Sequence, residues 1–210
     1  MRTKVTILLG IFMSTLVLVG CMYDEPSIQT GDYPFVKEGK RWNCRNGEND
    51  FVYKMMGDTS IKSKAYKKLY VQHSAKYGND EWHYQGAVRE KGEQVYMLEA
   101  GEKKEYLLYD FGVGLYDRNV GLDYFTNKDG NILTFRAIEP YKNTNRRLYS
   151  YDYQGERFMC DYFHWLEGVG DLDIPFPIFT GIINSCYEDD VCIYEYDENI
   201  HYRHSSRNDR

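Results

Sequence analysis

The sequence predicts an all-β protein: a single domain of about ten to twelve short antiparallel strands, arranged as a rolled meander, a barrel-like closure or a sandwich. Three observations lead there. Twenty-one of the 210 residues are tyrosine, a side chain that suits the pleated, half-buried surface of a sheet. Beyond the first 20 residues no long stretch carries an apolar stripe at the 3.6-residue spacing of a helix. Short runs of alternating character instead follow one another, separated by turn signals that contain glycine.

Taken in order, Trp42 opens the domain. DFVYKMMGDTSIKSKAYKKLYVQHS reads as a strand, a turn at Gly57-Asp58 and a second segment ending in KKLYVQHS. HYQGAVREKGEQVYMLE gives a strand to Arg89, a turn over Glu90-Lys91-Gly92-Glu93, and a strand through Leu98. EKKEYLLYDFGVGLYD follows. LDYFTNKDGNILTFRAIEP holds Asp129-Gly130 between two alternating runs, the strongest hairpin signal in the chain, because Asp-Gly accepts the positive φ of a two-residue turn. RRLYSYDYQGERFMCDYFHW places a turn at Gln154-Gly155, and GIINSC and CIYEYDENI flank YEDDV as the arms of a last hairpin. Residues 41–200 show no break in composition, hence one domain. HYRHSSRNDR, residues 201–210, reads as a frayed polar tail.

The segment ahead of this domain has a different character. Arg2 and Lys4 precede an uncharged run from Val5 to Gly20, a positive n-region and an h-region too short to span a bilayer, which needs about 20 apolar residues. Residues 1–20 are expected to be a signal peptide. Leu18-Val19-Gly20-Cys21 resembles a lipobox, the motif of bacterial lipoprotein maturation, which implies a diacylglycerol on the Cys21 thiol. Each buried methylene of an acyl chain contributes about 0.8 kcal/mol, so two or three chains hold the protein at a membrane while the polypeptide stays in water. Residues 21–40 mix Pro, Gly and charge without period and read as a lipidated tether. The acidic pair Asp24-Glu25 resembles the export signal of Bacteroidetes lipoproteins, which implies an outer-membrane anchor with the domain exposed at the cell surface. A periplasm-facing lipoprotein is the alternative.

Charge and cysteine content narrow the partners. The chain carries 26 cationic and 32 acidic residues, and loss of the leader takes its net charge from −6 to −8. Such a chain, without a basic cluster, is not built to neutralise phosphates, so no nucleic acid partner is expected. With Cys21 committed to lipid, Cys44, Cys160, Cys186 and Cys192 remain, an even number that beyond the membrane permits a disulfide framework. The last hairpin would bring Cys186 and Cys192 together, leaving Cys44 and Cys160 as a second pair or as buried thiols. No CxxC spacing is present and no metal site is expected. His201 and His204, three apart in the tail, read as solvated residues. GVGLYDRNVG leads into no helix, so no phosphate cradle and no cofactor is expected.

Five segments, GDTSIKSKAYKKLY, GAVREKGEQVYML, EYLLYDFGVGLYD, WLEGVG and SCYEDDVCIYE, resemble in this order a family of Bacteroidetes lipoproteins and secreted proteins. The resemblance covers roughly residues 42–197. It implies a lineage and an envelope location, and it brings no catalytic residues with it.

Three roles remain to be weighed. Asp110 in LLYDFG and Glu167 in WLEGVG sit at strand ends beside aromatics, and a glycan-active hydrolase needs two carboxylates facing each other across a cleft, about 5 to 10 Å apart. Asp117, Asp171 and Asp173 lie near them in sequence. The structural alternative is that Gly168 and Gly170 permit positive φ while Glu167 accepts the freed backbone N–H groups, and that Asp110 opens a turn. The second role is a binding module in which Phe111, Tyr116, Tyr124, Phe163 and Trp165 form an aromatic platform for sugars or peptides; the same rings would otherwise be core. His164, between two of them, is expected on the opposite strand face. The third is a structural envelope protein that meets a protein partner along a sheet edge. The expectation is a membrane-anchored binding or accessory module of unidentified ligand, not an enzyme.

Overall fold

A computed structural model describes residues 33–73, 81–113, 132–154, 162–173, 176 and 181–202. Among these residues the chain forms twelve strands and one short helix: β1 (Arg41–Asn46), β2 (Asn49–Ile61), β3 (Lys64–His73), β4 (His83–Lys91), β5 (Gln94–Glu99), β6 (Tyr106–Asp110), β7 (Ile132–Pro140), β8 (Arg147–Gln154), β9 (Tyr162–Leu166), β10 (Gly170–Asp171), β11 (Ile182–Glu188), β12 (Val191–Glu195) and α1 (Glu198–Tyr202). The protein is all-β, as its sequence predicts. All pairings are antiparallel, in a curled eight-stranded sheet of order β12-β11-β1-β2-β3-β4-β5-β6 and a smaller sheet of order β10-β9-β8-β7. No described helix is long and apolar enough to cross a membrane.

Alternation decides which face becomes core. Phe51, Tyr53 and Met55 on β2, Leu69 and Val71 on β3, and Val95 and Met97 on β5 are buried at every second position. They form one cluster with Tyr149 and Tyr151 of β8 and Phe163 and Trp165 of β9. The abundant aromatics supply much of this contact: Tyr109 meets Trp165 edge-on at 5.2 Å, Tyr151 lies 4.3 Å from Trp165, and Trp42 meets Phe176 at 5.2 Å. Each such pair contributes about 0.5–1.5 kcal/mol beyond the area it buries. Phe35 packs against Trp42, Tyr109 and Phe176, and Lys40 is fully buried. The last residues assigned to the tether are therefore part of the packed domain, and α1 carries the fold two residues into the expected tail.

One turn departs from expectation. β2 does not end at Gly57-Asp58; it runs to Ile61, and Gly57 (φ +73°) lies in a bulge where the register with β3 shifts between Met55 and Asp58. The reversal is made by Lys62 (φ +50°) and Ser63 (φ +63°), two successive left-handed residues that give a hairpin turn matching the strand twist. Asp189 (φ +47°) and Asp190 (φ +64°) do the same between β11 and β12. Asp129-Gly130 and Gly155 lie outside the described residues.

The expected β11–β12 hairpin forms, but its disulfide does not. Cys186 pairs with Tyr194 and Tyr187 with Cys192, with Ile193 extra between them. That bulge leaves Cys186 buried in the core and Cys192 exposed, on opposite faces of the hairpin, and both are free thiols. Cys44 is likewise a buried free thiol, so the second pairing is absent too; Cys160 lies outside the described residues. Burial pushes the Cys186 thiol up to about 12 and that of Cys44 well above its usual value. Iodoacetamide at neutral pH is therefore expected to alkylate Cys192 in the native protein while sparing Cys44 and Cys186, read by site-resolved mass spectrometry. Labelling of Cys192 that appears only after reductant would overturn the free-thiol register.

Candidate functional site

Glu167 follows β9 in a turn whose carbonyls are gathered from three directions. Arg146 Nη1 donates to the Glu167 carbonyl at 2.9 Å, Lys40 Nζ to that of Gly168 at 2.7 Å, and Trp42 Nε1 to that of Val169 at 2.8 Å. Trp42 belongs to the large sheet, Arg146 directly precedes β8 of the small one, and Lys40 precedes β1, so WLEGVG is the clasp between the two. Gly168 (φ +73°) is required here, because a Cβ would lie 2.6 Å from Arg146 Nη1 and 2.9 Å from the Tyr33 carbonyl. Lys40 also donates to the Pro34 carbonyl and pairs with Glu188 at 2.7 Å. Burial holds its ammonium below the usual lysine range, against the opposing pull of Glu188.

The carboxylate of Glu167 is buried within this clasp. Its Oε1 accepts from Arg147 Nη2 at 2.7 Å and its Oε2 from the Arg147 backbone N–H at 3.1 Å. Glu167 does accept a backbone N–H, but from β8 and not from its own turn. Arg147 Nη2 reaches on to Glu93 at 2.5 Å. Asp110, at the end of β6, accepts from Gln94 Nε2 at 2.8 Å and from the Gly112 N–H at 3.0 Å, as a turn-opening aspartate does. Each candidate catalytic carboxylate thus has one oxygen on a backbone N–H and the other on a neighbouring side chain. Asp171 is fully buried and accepts from Trp165 Nε1 at 3.1 Å and from the Asp173 N–H at 2.9 Å. Asp117 lies outside the described residues. Among the described residues no group of three His, Cys, Asp or Glu side chains is placed to hold a metal ion; His201 is in α1 and His204 lies outside them.

The aromatic platform expected from sequence is displaced. Phe111, Phe163 and Trp165 are core residues, 4 %, 0 % and 0 % exposed, because alternation in β9 turns Phe163 and Trp165 into the core, where Trp165 meets Tyr109 and Tyr151. Tyr116 and Tyr124 lie outside the described residues. His164 sits on the opposite face of β9 and is itself buried, paired across the ladder with Ser150.

Rings do reach the surface elsewhere. Trp82 and Tyr84 are 36 % and 42 % exposed, and Tyr84 meets Tyr70 edge-on at 5.6 Å on the outer face of the large sheet. A bulge produces this. Leu69 pairs with Gly86 but Tyr70 pairs with Tyr84, so Gln85 is the extra residue. Without it, Tyr84 would share the inward parity of Gly86 and Val88; with it, Tyr84 turns outward beside Tyr70. Gly86 (φ +153°) permits the bulge, since a Cβ there would lie 2.4 Å from the Leu98 carbonyl oxygen. The signal in EWHYQG was the pair of aromatics two apart ahead of a glycine inside a strand, which marks a bulge or a close backbone approach. No family model, curated protein or solved structure matches the chain.

Proposed function

We propose that this protein is a bacterial envelope lipoprotein, acylated at Cys21 and held at the outer membrane with its domain facing outward, and that it acts as a binding or accessory module. The observation that carries the binding reading is the displayed aromatic group, Tyr70, Trp82 and Tyr84. Flat rings with polar tips give contact area at little cost in side-chain entropy, which suits a surface that binds a ligand. A glycine kept at a strained bulge to turn one of those rings outward supports the same reading. The occupied oxygens of Glu167 and Asp110 support an architectural role for that pair in preference to hydrolysis. The acidic pair Asp24-Glu25 behind Cys21 supports surface display.

The test compares cells expressing the wild type and Cys21→Ala. Wild type is expected in the detergent phase, with the acyl mass on Cys21 and with the domain cleaved by external protease; Cys21→Ala is expected in the aqueous phase. Absence of the acyl mass would overturn the anchor, and protection from protease would overturn surface display. Turnover of a glycan panel by the wild type, lost in Glu167→Gln, would overturn the non-catalytic role.

A further inference from the structure

We infer that the outer face of the eight-stranded sheet binds acidic saccharides, sugar chains that carry carboxylate or sulfate groups. The inference rests on the binding-module reading and gives that module its ligand class. Cross-strand pairing lines up one continuous row over five strands: Tyr187 on β11 opposite Arg41 on β1, Arg41 opposite Lys54 on β2, Lys54 opposite Tyr70 on β3, and Tyr70 opposite Tyr84 on β4. Each stands on the side away from the core, as the buried neighbours Cys186, Trp42, Tyr53, Met55, Leu69 and Val71 require. The row runs four inter-strand steps, roughly 19 Å along the sheet.

Its charge pattern sets two cations side by side on adjacent strands. Arg41 and Lys54 face each other directly, an arrangement of like charges that destabilises a sheet. Among the described residues neither has a carboxylate within ion-pair distance, and the same holds for Lys68, two residues along β3 from Tyr70. The Arg41 guanidinium lies 4.4 Å over the Tyr187 ring, and its Nε is buried without a hydrogen-bond partner. Some other surface cations of this acidic protein are neutralised: Arg89 binds Glu105 through both of its oxygens at 2.7 Å, Lys67 pairs with Asp58 at 2.6 Å, and Lys142 with Asp197 at 3.2 Å; cations without a carboxylate partner among the described residues, such as Lys62 and Lys103, do not stand between aromatic rings as Arg41 and Lys54 do. Uncompensated cations bracketed by rings fit a ligand that brings its own anions and offers apolar C–H faces for stacking.

The neighbouring row on the same face is mostly uncharged and polar, with the exposed Glu195 of β12 at its end opposite Ser185. Ser185, Asn43, Val52 and Gln72 follow one another across the strands, and Asn43 Nδ2 donates to Ser185 Oγ at 3.0 Å. Such a border suits hydroxyl groups, whereas a surface lying on lipid would carry large apolar side chains there. Three cations on a chain of net charge −6 are too few to compete for a nucleic acid.

The experiment uses the full-length wild type in detergent micelles, with polygalacturonate and chondroitin sulfate as acidic probes, methyl-esterified polygalacturonate as the neutral match, and phosphatidylglycerol vesicles. The acidic probes are expected to bind and the ester to bind more weakly. Arg41→Gln/Lys54→Gln should weaken acidic-probe binding about tenfold or more without lowering the melting temperature. Tyr70→Ala/Tyr84→Ala should weaken it comparably, while Lys62→Gln/Lys103→Gln, far from the row, should leave it unchanged. Equal binding of acid and ester, lost in Tyr70→Ala/Tyr84→Ala, would overturn the acidic class and leave the binding module standing. Binding of vesicles but of no glycan, kept in Cys21→Ala and lost in Tyr70→Ala/Tyr84→Ala, would overturn the inference in favour of a membrane-facing surface. Failure of wild type to hold any glycan, with Cys21→Ala holding no vesicle, would overturn both the inference and the binding reading.

Discussion

Gly86→Ala is expected to lower the unfolding free energy by about 2–4 kcal/mol, a large part of the total for a domain of this size. Two effects combine at this position. The residue sits at φ +153°, where an L side chain is strained, and its new Cβ would fall 2.4 Å from the Leu98 carbonyl oxygen and 3.0 Å from the Glu99 Cα. Both neighbours are backbone in the paired strand β5, so neither can move aside as a flexible side chain would. Gly92→Ala supplies the comparison: its φ is +62°, but nothing lies within 4 Å of its Cβ, so only the conformational cost of about 1 kcal/mol should appear. Urea denaturation of the two variants beside the wild type separates the contributions. Equal losses would mean that close approach contributes nothing at Gly86. A chain that escapes the clash by sliding the bulge would also return Tyr84 to the inward parity, so glycan binding should fall with stability.

That bulge also marks where sequence stops predicting this fold. The strands were legible because burial follows parity: Phe51, Tyr53 and Met55, or Leu69 and Val71, can be read as core before any coordinates exist. Parity holds only until one residue is inserted. Gly57-Asp58 carries the signal of a turn and is instead a bulge in a longer strand, because a positive φ at glycine serves either purpose. The real turn at Lys62-Ser63 was hidden because neither residue advertises a left-handed conformation; its geometry is imposed by the two strands it joins. The hairpin of Cys186 and Cys192 shows the same limit. Its arms and its Asp189-Asp190 turn follow from sequence, yet Ile193 inserted in β12 turns the two sulfurs to opposite faces.

The candidate site was legible in kind and misplaced in position. Aromatic abundance indicates a ring-rich sheet with two faces, but it does not say which rings face water. WLEGVG with its two glycines was readable as architecture. What it clasps was not, because Lys40, Trp42 and Arg146 reach it from 128, 127 and 21 residues away in sequence, and such contacts are set by the stacking of the two sheets. A lysine ahead of the first strand reads as a solvated tether residue, since lysine is almost never fully buried unless paired.

Lys40→Met should therefore destabilise the protein by about 3–5 kcal/mol. The methionine keeps much of the length and volume, so the loss reports the ammonium and not a cavity. Without it, Glu188 loses its 2.7 Å partner and the carbonyls of Gly168 and Pro34 lose their donor. Lys37 and Arg146 stand 3.7 and 3.8 Å from Glu188 and compensate only in part. Lys37→Met is the control: that side chain is 36 % exposed and pairs with Asp189 at the surface, where an ion pair contributes about 0–1 kcal/mol. The double variant Lys40→Met/Glu188→Gln separates charge from hydrogen bonding. If the uncompensated carboxylate dominates, removing its charge should recover about half of the loss, and the remainder is the cost of two unpaired carbonyls, each about 1–3 kcal/mol. If the double variant is no more stable than Lys40→Met, the clasp is held by its carbonyl bonds alone, and the ion pair with Glu188 contributes nothing to joining the two sheets.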